Sequence, residues 1–327
     1  MNNDYPDAQS APASPASATP TASVLENLAL EMLREQRANR RWRIFFRFAT
    51  LAVTLFAIWA AFDISGSPKQ VTGRHTALIE IDGEIDVNSS TGSVSSIVPA
   101  LNSAFSDEAS VGIILRMNSP GGSPVQAGIV NDEITRLRKL HPKKPLYVVV
   151  EDMCASGCYY IAAAADRIYV NQASIVGSIG VLMSSFGFTG LMEKLGVERR
   201  MLTAGENKGF LDPFSAQTPK QKEFTLGLLT EIHQQFIAVV RTGRGERLKE
   251  TPDMFSGLFW TGSGAIQLGL ADGLGTVDSV ARDVLKAEDI IDYTAHEGLS
   301  DRVLKKFGAA AGAGAVEAMG AAALKLR

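Results

Sequence analysis

The sequence predicts an α/β protein built on a largely parallel sheet. Three observations carry this: four short β-rich runs, a long capped helical segment between two of them, and further amphipathic runs towards the C-terminus. Thr76–Asp82, Ser110–Met117, Pro145–Glu151 and Arg167–Val170 are short apolar stretches of the length that buried strands take. Between the second and third lies Pro124–Leu140, which has helical spacing. Ser123 is placed to cap it, Pro124 takes the first helical position, Gln126 completes a capping box, and His141-Pro142 ends it. An alanine-rich helical run, Ile161–Ala165, follows the third strand. Lys220–Arg241 reads as a long amphipathic helix, and Ser263–Leu268 and Ser279–Ala287 as shorter ones. Strands that alternate with helices form repeated βα units, and such units make parallel sheets.

The N-terminal part follows different rules. Residues 6–23 are rich in Ala, Ser, Pro and Thr and carry too little apolar surface to fold; Val24–Arg37 has the loose helical spacing of a short juxtamembrane helix. Phe48–Phe62 is an uncharged run, shorter than the roughly 20 residues a spanning helix needs. Ile44, Phe45 and Phe46 extend it, with Arg47 snorkelling to the interface and Trp42 and Trp59 near the two ends. Arg34, Arg37, Arg40, Arg41 and Arg43 all precede the run, which predicts a cytoplasmic N-terminus and an exported body. The sequence therefore divides into a largely disordered cytoplasmic tail with a short helix (1–43), a transmembrane signal anchor (44–64), a linker (65–75), an α/β domain (76–290) and an Ala/Gly-rich tail (291–327). With 46% hydrophobic residues in 327, a sizeable core is available, and a net charge of −3 gives no basic field for nucleic acid.

Ser156 is the residue most suited to chemistry. It lies between the strand run ending at Glu151 and the helical run from Ile161, where a turn exposes a hydroxyl beside backbone N–H groups. A serine there needs a base. A second turn, Asn118-Ser119-Pro120-Gly121-Gly122-Ser123, joins the second strand to the capped helix. Glycine turns open many helices for structural reasons alone. Facing Ser156, this one is a candidate oxyanion hole, with the N–H groups of Gly121 and Gly157 as donors. None of the four histidines, His75, His141, His233 and His296, has a strand-end or glycine-rich setting, and His75 falls in the linker, so a Ser-His-Asp triad has little support. The alternative base is a lysine held neutral, which demands burial away from carboxylates. Lys208, in the glycine- and aromatic-rich loop Ala204–Phe214, is the best placed, although Glu206 and Asp212 stand close in sequence and a solvated loop lysine is the plainer reading. Cys154 and Cys158 flank the serine; they read as packed free thiols, with a local disulfide as the alternative in an oxidising compartment. Neither they nor any nearby cluster suggests a zinc site.

Five groups of residues resemble the signal peptide peptidase A family in order and spacing over roughly 76–285. They are Asn118-Ser119-Pro120-Gly121-Gly122; Ala155-Ser156-Gly157 with Tyr159-Tyr160; Gly177-Ser178-Ile179-Gly180-Val181; Lys208 with Pro213-Phe214 and Thr218-Pro219; and Trp260-Thr261-Gly262 with Gly269-Leu270-Ala271-Asp272. The resemblance is to the short bacterial form with one catalytic domain. It implies a Clp-protease/crotonase-like fold of repeated β-β-α and βα units behind an N-terminal transmembrane helix. It also implies a serine endopeptidase of the bacterial inner membrane, single-pass, with its catalytic domain extracytoplasmic, that degrades cleaved signal peptides or other hydrophobic segments. On this resemblance Ser156 is the nucleophile, Lys208 the general base and Ser178 a residue that orients the lysine, with Gly121 and Gly157 as the oxyanion hole. No cofactor or metal is implied. The implied partners are hydrophobic peptides, the bilayer through 44–64, and further copies of the chain in a ring or dome, where serine and lysine can come from neighbouring subunits. Two positions depart from the family pattern: Cys158 stands where a second glycine is usual, and Leu258 where an arginine is common. The alternatives are an acyl-coenzyme A enzyme of the crotonase type, which shares the fold and the paired N–H groups, and a non-catalytic membrane scaffold of the same fold.

Overall fold

A computed structural model describes residues 40–56 and 73–295. The chain divides into two compact units at Gly66/Ser67. In the first, residues 40–56 form a helix (α1) whose Ile44, Phe45, Phe46, Phe48, Leu51, Val53, Leu55 and Phe56 are exposed. Among the described residues no helix is long and apolar enough to cross a membrane, and residues 57–64 of the expected anchor lie outside the described residues. The expectations for 1–39, for the linker up to 72 and for the tail from 296 lie outside them as well.

The second unit is a mixed, mostly parallel α/β structure. Its strands are β1 (His75–Asp82), β2 (Ser110–Ser119), β3 (Leu146–Ala155), β4 (Arg167–Val170), β5 (Ile175–Gly177), β6 (Phe259–Thr261), β7 (Gly273–Leu274) and β8 (Ile290–Asp292). One sheet runs β6-β5-β3-β2-β1-β8, with β4 paired to β3 and to β7. Every pairing is parallel except β5 with β6. The sheet reaches just past both ends of the 76–290 span, because His75 is buried at the start of β1 and β8 pairs with β1 at Thr76–Leu78.

Period-two alternation sorts the strand residues onto two faces. Ala77, Ile79 and Ile81 of β1, Ile113, Leu115 and Met117 of β2, and Leu146, Val148 and Val150 of β3 point into the main core. There they meet α2 (Val94–Ser106), α3 (Pro124–Leu140) and α4 (Gly157–Ala162). Leu78, Ile114, Val149 and Tyr169 point the other way, into a smaller cluster under the π-helical turn Val280–Leu285. The same face turns charged towards the carboxyl ends of the strands, where Arg116 pairs with Glu80 and Glu151.

Helix α3 has the limits its sequence predicts, and Ser123 Oγ accepts the Gln126 N–H at 3.4 Å. The capping box does not close. The Gln126 side chain turns to accept the Val94 N–H at 3.1 Å and so caps α2 instead. Helix α2 has no sequence signal of its own: Pro99 removes a ladder donor, and burial of Ile97, Leu101, Ala104 and Phe105 holds it together. Further along are the short α5 (Thr189–Leu195), the long α6 (Pro219–Arg244) and α7 (Gly262–Gln267). Thr218 caps α6 in a closed capping box with Gln221. Only the C-terminal end of α6 is buried, through Phe236, Ile237, Val240 and Arg244.

Arg244, 1% exposed, anchors that end of α6 to the body. Its Nε donates to the Gly269 carbonyl at 2.8 Å, and a terminal nitrogen donates to Asp272 at 2.9 Å. Burial alone would raise the Asp272 carboxyl, but the Arg244 hydrogen bond and charge, the Ile168 N–H and Arg247 together hold it below its usual value. Replacing Arg244 with alanine removes the buried partner of that carboxylate, leaving it the half-exposed Arg247 and the Ile168 N–H, and is expected to cost about 3 kcal/mol in denaturant unfolding. The sign for pH follows from the lowered value. The pair's contribution is complete above the unfolded value of 3.8 and disappears as pH falls through the lower folded one. The stability difference between the parent and Arg244→Ala is therefore expected to narrow at low pH, leaving the part due to the lost Gly269 hydrogen bond and packing.

Candidate active site

Parallel strands deliver their carboxyl ends to one edge of the sheet, and the expected residues gather there. Ser119 ends β2, Ala155 ends β3 and Gly177 ends β5, with Ser119 in register with Cys154 and Ala155 with Gly177. Ser156 and Ser178 are thus the next residues on two neighbouring strands. Both have left-handed backbones, at φ 52 and φ 51. Each such conformation costs a non-glycine residue about 1–3 kcal/mol, and so needs support from its surroundings.

For Ser156 that support is visible bond by bond. Its N–H donates to the Gly177 carbonyl at 2.9 Å, and its carbonyl accepts the Tyr160 N–H at 3.0 Å. Helix α4, which starts at the next residue, and the turn that follows it are held by three side-chain hydrogen bonds. Tyr159 Oη donates to the Leu270 carbonyl at 2.8 Å, Asn131 Nδ2 to the Tyr160 carbonyl at 2.7 Å, and Arg138 to the Ala164 carbonyl at 2.6 Å. The Tyr159 phenol is fully enclosed, and burial pushes its pKa well above the ordinary tyrosine value. Ser156 itself is half-buried, and its hydroxyl makes no capping bond to α4. It is left to face the turn opposite.

That turn is Gly121-Gly122. A β-carbon on Gly121, at φ +102, would stand 2.7 Å from the Ser156 β-carbon and 2.8 Å from the Gly157 nitrogen. Only a glycine allows the backbone this close. The two N–H groups of this turn differ in what they meet. The Gly121 N–H is taken by Ser119 Oγ at 3.1 Å, so it serves its own turn. The Gly122 nitrogen is what faces Gly157, 3.2 Å from where a β-carbon on Gly157 would sit, and neither N–H has a backbone acceptor among the described residues. Ser119 and Gly122 both lay within the glycine motif of the sequence; which N–H stays free was decided by the Ser119 hydroxyl.

Lys208 is not joined to this cluster within one chain. It is exposed on the loop after Gly205, whose carbonyl accepts the Lys208 N–H at 3.1 Å, and its amine bonds neither Ser156 nor Ser178 among the described residues. The two carboxylates that threatened to hold it have other partners. Glu206 lies 3.6 Å from Lys220, and Asp212 pairs with Arg199 at 3.4 Å and accepts the Ser215 hydroxyl at 2.6 Å. Lys208 belongs to an arm, roughly 181–230, that carries many exposed apolar side chains, with Leu202 99%, Leu182 84% and Phe186 81% exposed. Phe210 and Phe224 meet edge to face within it and line a cavity of about 520 Å³ with Asn207 and Gln221.

The histidines are accounted for elsewhere. His75 is not in a linker but buried in β1, bonded to the Gly73 carbonyl and to Tyr293 Oη, both at 3.0 Å. His141 caps the end of α3, and His233 reaches the Ile179 carbonyl at 3.2 Å; both are half-buried, and His296 lies outside the described residues. The cysteines correct an expectation. In place of two packed thiols, Cys154 and Cys158 form a disulfide, with no free cysteine left. Helical β-carbons lean towards the helix N-terminus, so Cys158 in the first turn of α4 points back at the strand end, and a Cα separation of 5.1 Å suits a bridge. Leu258, the other departure, uses its carbonyl to accept the Ser178 N–H at 2.8 Å.

A mostly parallel α/β body thus brings a strained serine and facing glycines together at its strand ends. Comparison with known proteins adds to this. Residues 138–290 match the model of peptidase family S49. Over 192 residues the chain is 47% identical to a Na(+)/H(+) antiporter NhaA of Brucella abortus, covering 59% of this chain and 26% of that protein. It is 32% identical over 224 residues to Protease 4 of Haemophilus influenzae, covering 68% and 35%. A protein of Enterococcus faecium that carries the signal peptide peptidase SppA name is 29% identical over 195 residues, covering 60% and 56%. In each case the match spans less than two thirds of the relative's own length, and most of the antiporter lies outside it. Residues 138–290 thus carry the match to peptidase family S49, and the resemblance to signal peptide peptidase A drawn from the motifs holds.

The close approach at Gly121 makes a direct prediction. Gly121→Ala puts a methyl against the Ser156 turn at a backbone angle that alanine tolerates poorly. It is expected to lower stability by about 1–3 kcal/mol in chemical denaturation, while Gly128→Ala on α3, where a β-carbon meets open space, does not.

Proposed function

We propose that this chain is a membrane-anchored serine endopeptidase with a Ser/Lys dyad that cleaves hydrophobic peptide segments, cleaved signal peptides among them. One observation carries the reading. Ser156, a non-glycine residue at φ 52, stands at the end of β3 facing two free glycine N–H groups in a chain whose residues 138–290 match a peptidase family. Ser156 Oγ attacks the peptide carbonyl, and the oxyanion settles between the N–H groups of Gly157 and Gly122. Lys208 takes the serine proton and hands it to the departing amine. Water then attacks the acyl-enzyme, again with the amine as base. Ser178, one strand over from Ser156, is placed to receive and orient the lysine amine.

Because Lys208 is exposed and its amine has no partner among the described residues, the dyad forms when a neighbouring copy brings its arm over the Ser156 edge. The apolar surface of that arm supports this assembly, since such surface is normally covered by a partner. Export of the domain through the 44–64 anchor, with the N-terminus in the cytoplasm of a bacterium, rests on the arginines before the apolar run.

Three experiments test these points. Ser156→Ala and Lys208→Ala are each expected to lower hydrolysis of a hydrophobic peptide by at least about 10³-fold. A Ser156→Ala chain as active as the parent ends the proposal. Mixing the two inactive variants under conditions of subunit exchange is expected to restore part of the activity, because some interfaces then unite an intact serine with an intact lysine; no recovery places the dyad within one chain. Leu202→Asp is expected to shift the assembly to smaller species in sedimentation and to lower activity with it.

A further inference from the structure

The proposed chemistry leaves one covalent feature beside the nucleophile unused. Cys154 is the second-last residue of β3, and Cys158 the second residue of α4. Their bond closes a short ring, residues 154–158, with Ser156 at its centre. Both cysteines are 0% exposed and belong to the main core. Cys154 is also pinned laterally, in register with Ser119 of β2 on one side and Val176 of β5 on the other. The bridge therefore ties the start of α4 to a strand end that cannot move.

We propose that the Cys154–Cys158 disulfide is a positioning element for Ser156, and that its reduction slows acylation of that serine while the domain stays folded. The inference rests on the reading of Ser156 as the nucleophile. The hydrogen bonds from Ser156 to Gly177 and from Tyr160 to Ser156, and those holding the rest of α4, involve neither sulfur, so reduction removes none of them directly. What is lost is the fixed separation across the turn. Acylation needs Ser156 Oγ placed to within a fraction of an ångström of its line of attack, and a misplacement of about 1 Å costs on the order of 10²-fold. The redox step balances simply. A dithiol gives up two electrons and two protons and closes to its own disulfide, while the Sγ–Sγ bond breaks and two thiols form; an added disulfide oxidant runs the exchange backwards. Ser156 thus becomes competent in an oxidising compartment and sluggish in a reducing one.

The test uses the full chain in detergent, a fluorophosphonate probe for the active serine, and a hydrophobic peptide substrate. Free thiols are counted by alkylation after denaturation. Reduction is expected to slow probe labelling and kcat at least about tenfold, with KM changed less than about twofold, an unaltered circular dichroism spectrum, and recovery on reoxidation. The Cys154→Ala/Cys158→Ala double variant is expected to be as slow as the reduced parent and indifferent to reductant. A purely structural bridge would instead lower the melting temperature with no such split between kcat and KM. Ser156-dependent labelling at one rate in both redox states overturns the inference alone, as does isolation of the parent with two free thiols. If the bridge resists reductants, a double variant that labels at the parent's rate overturns it. Labelling that persists in Ser156→Ala overturns the nucleophile reading and this inference with it.

Discussion

The site depends on holding Ser156 in a backbone conformation that serine resists. Nothing in the residue favours φ 52, so the energy must come from neighbours that are themselves immobile. They are immobile because they are strand ends: the Gly177 carbonyl that takes the Ser156 N–H belongs to a strand paired to β3 residue by residue. The Gly121-Gly122 turn opposite is fixed in the same way, with the Gly121 carbonyl accepting the Ile85 N–H at 2.8 Å and the Ile85 carbonyl accepting the Ser123 N–H at 2.8 Å. A serine on a mobile loop could visit this geometry; a serine on this edge is kept in it.

Much of this was legible because local and tertiary signals agree. The runs at 76–82, 110–117 and 167–170 became strands, and α3 matched its predicted limits, since caps, apolar period and burial all point the same way. The failures share a cause. Helix α2 carries Pro99 and a run of serines, and exists because its apolar stripe is pressed onto β1 and β2. Strands β5 to β8 are two or three residues long, too short for periodicity to register, and are specified by the neighbour they pair with. Gln126 carried a correct capping signal and spent it on another helix 32 residues away.

The candidate site divides along the same line. Ser156, the glycine turn and Ser178 are set by strand ends, and their positions follow from motifs that sit at strand-to-helix junctions. Lys208 is on an arm that leaves many of its apolar side chains exposed, so no local rule ties it to the serine. The cysteines show the limit from the other direction. Their spacing of four is compatible with packed thiols or with a bridge, and the choice depends on whether α4 begins before or after Cys158. Sequence placed the helical run from Ile161; the helix begins at Gly157, and that shift of one turn brings the two sulfurs together.

Strain also argues for which serine matters in a chain that has many. Among the described residues, four non-glycine positions have positive φ: Ser156, Ser178, Leu211 and Lys286. Lys286 ends the π-helical turn, where a left-handed residue is an ordinary stop signal. The other three fall in the three segments the proposed chemistry uses: the nucleophile turn, the neighbouring strand end and the lysine loop. A fold relaxes such conformations unless something selects for keeping them, so their concentration here is independent of motif and of kinship. It points to the same edge of the sheet that the free glycine N–H groups mark. Backbone strain, donor geometry and strand register therefore converge on one hydroxyl, and the chemistry proposed for it asks further for a base, the role proposed for Lys208 on its exposed loop.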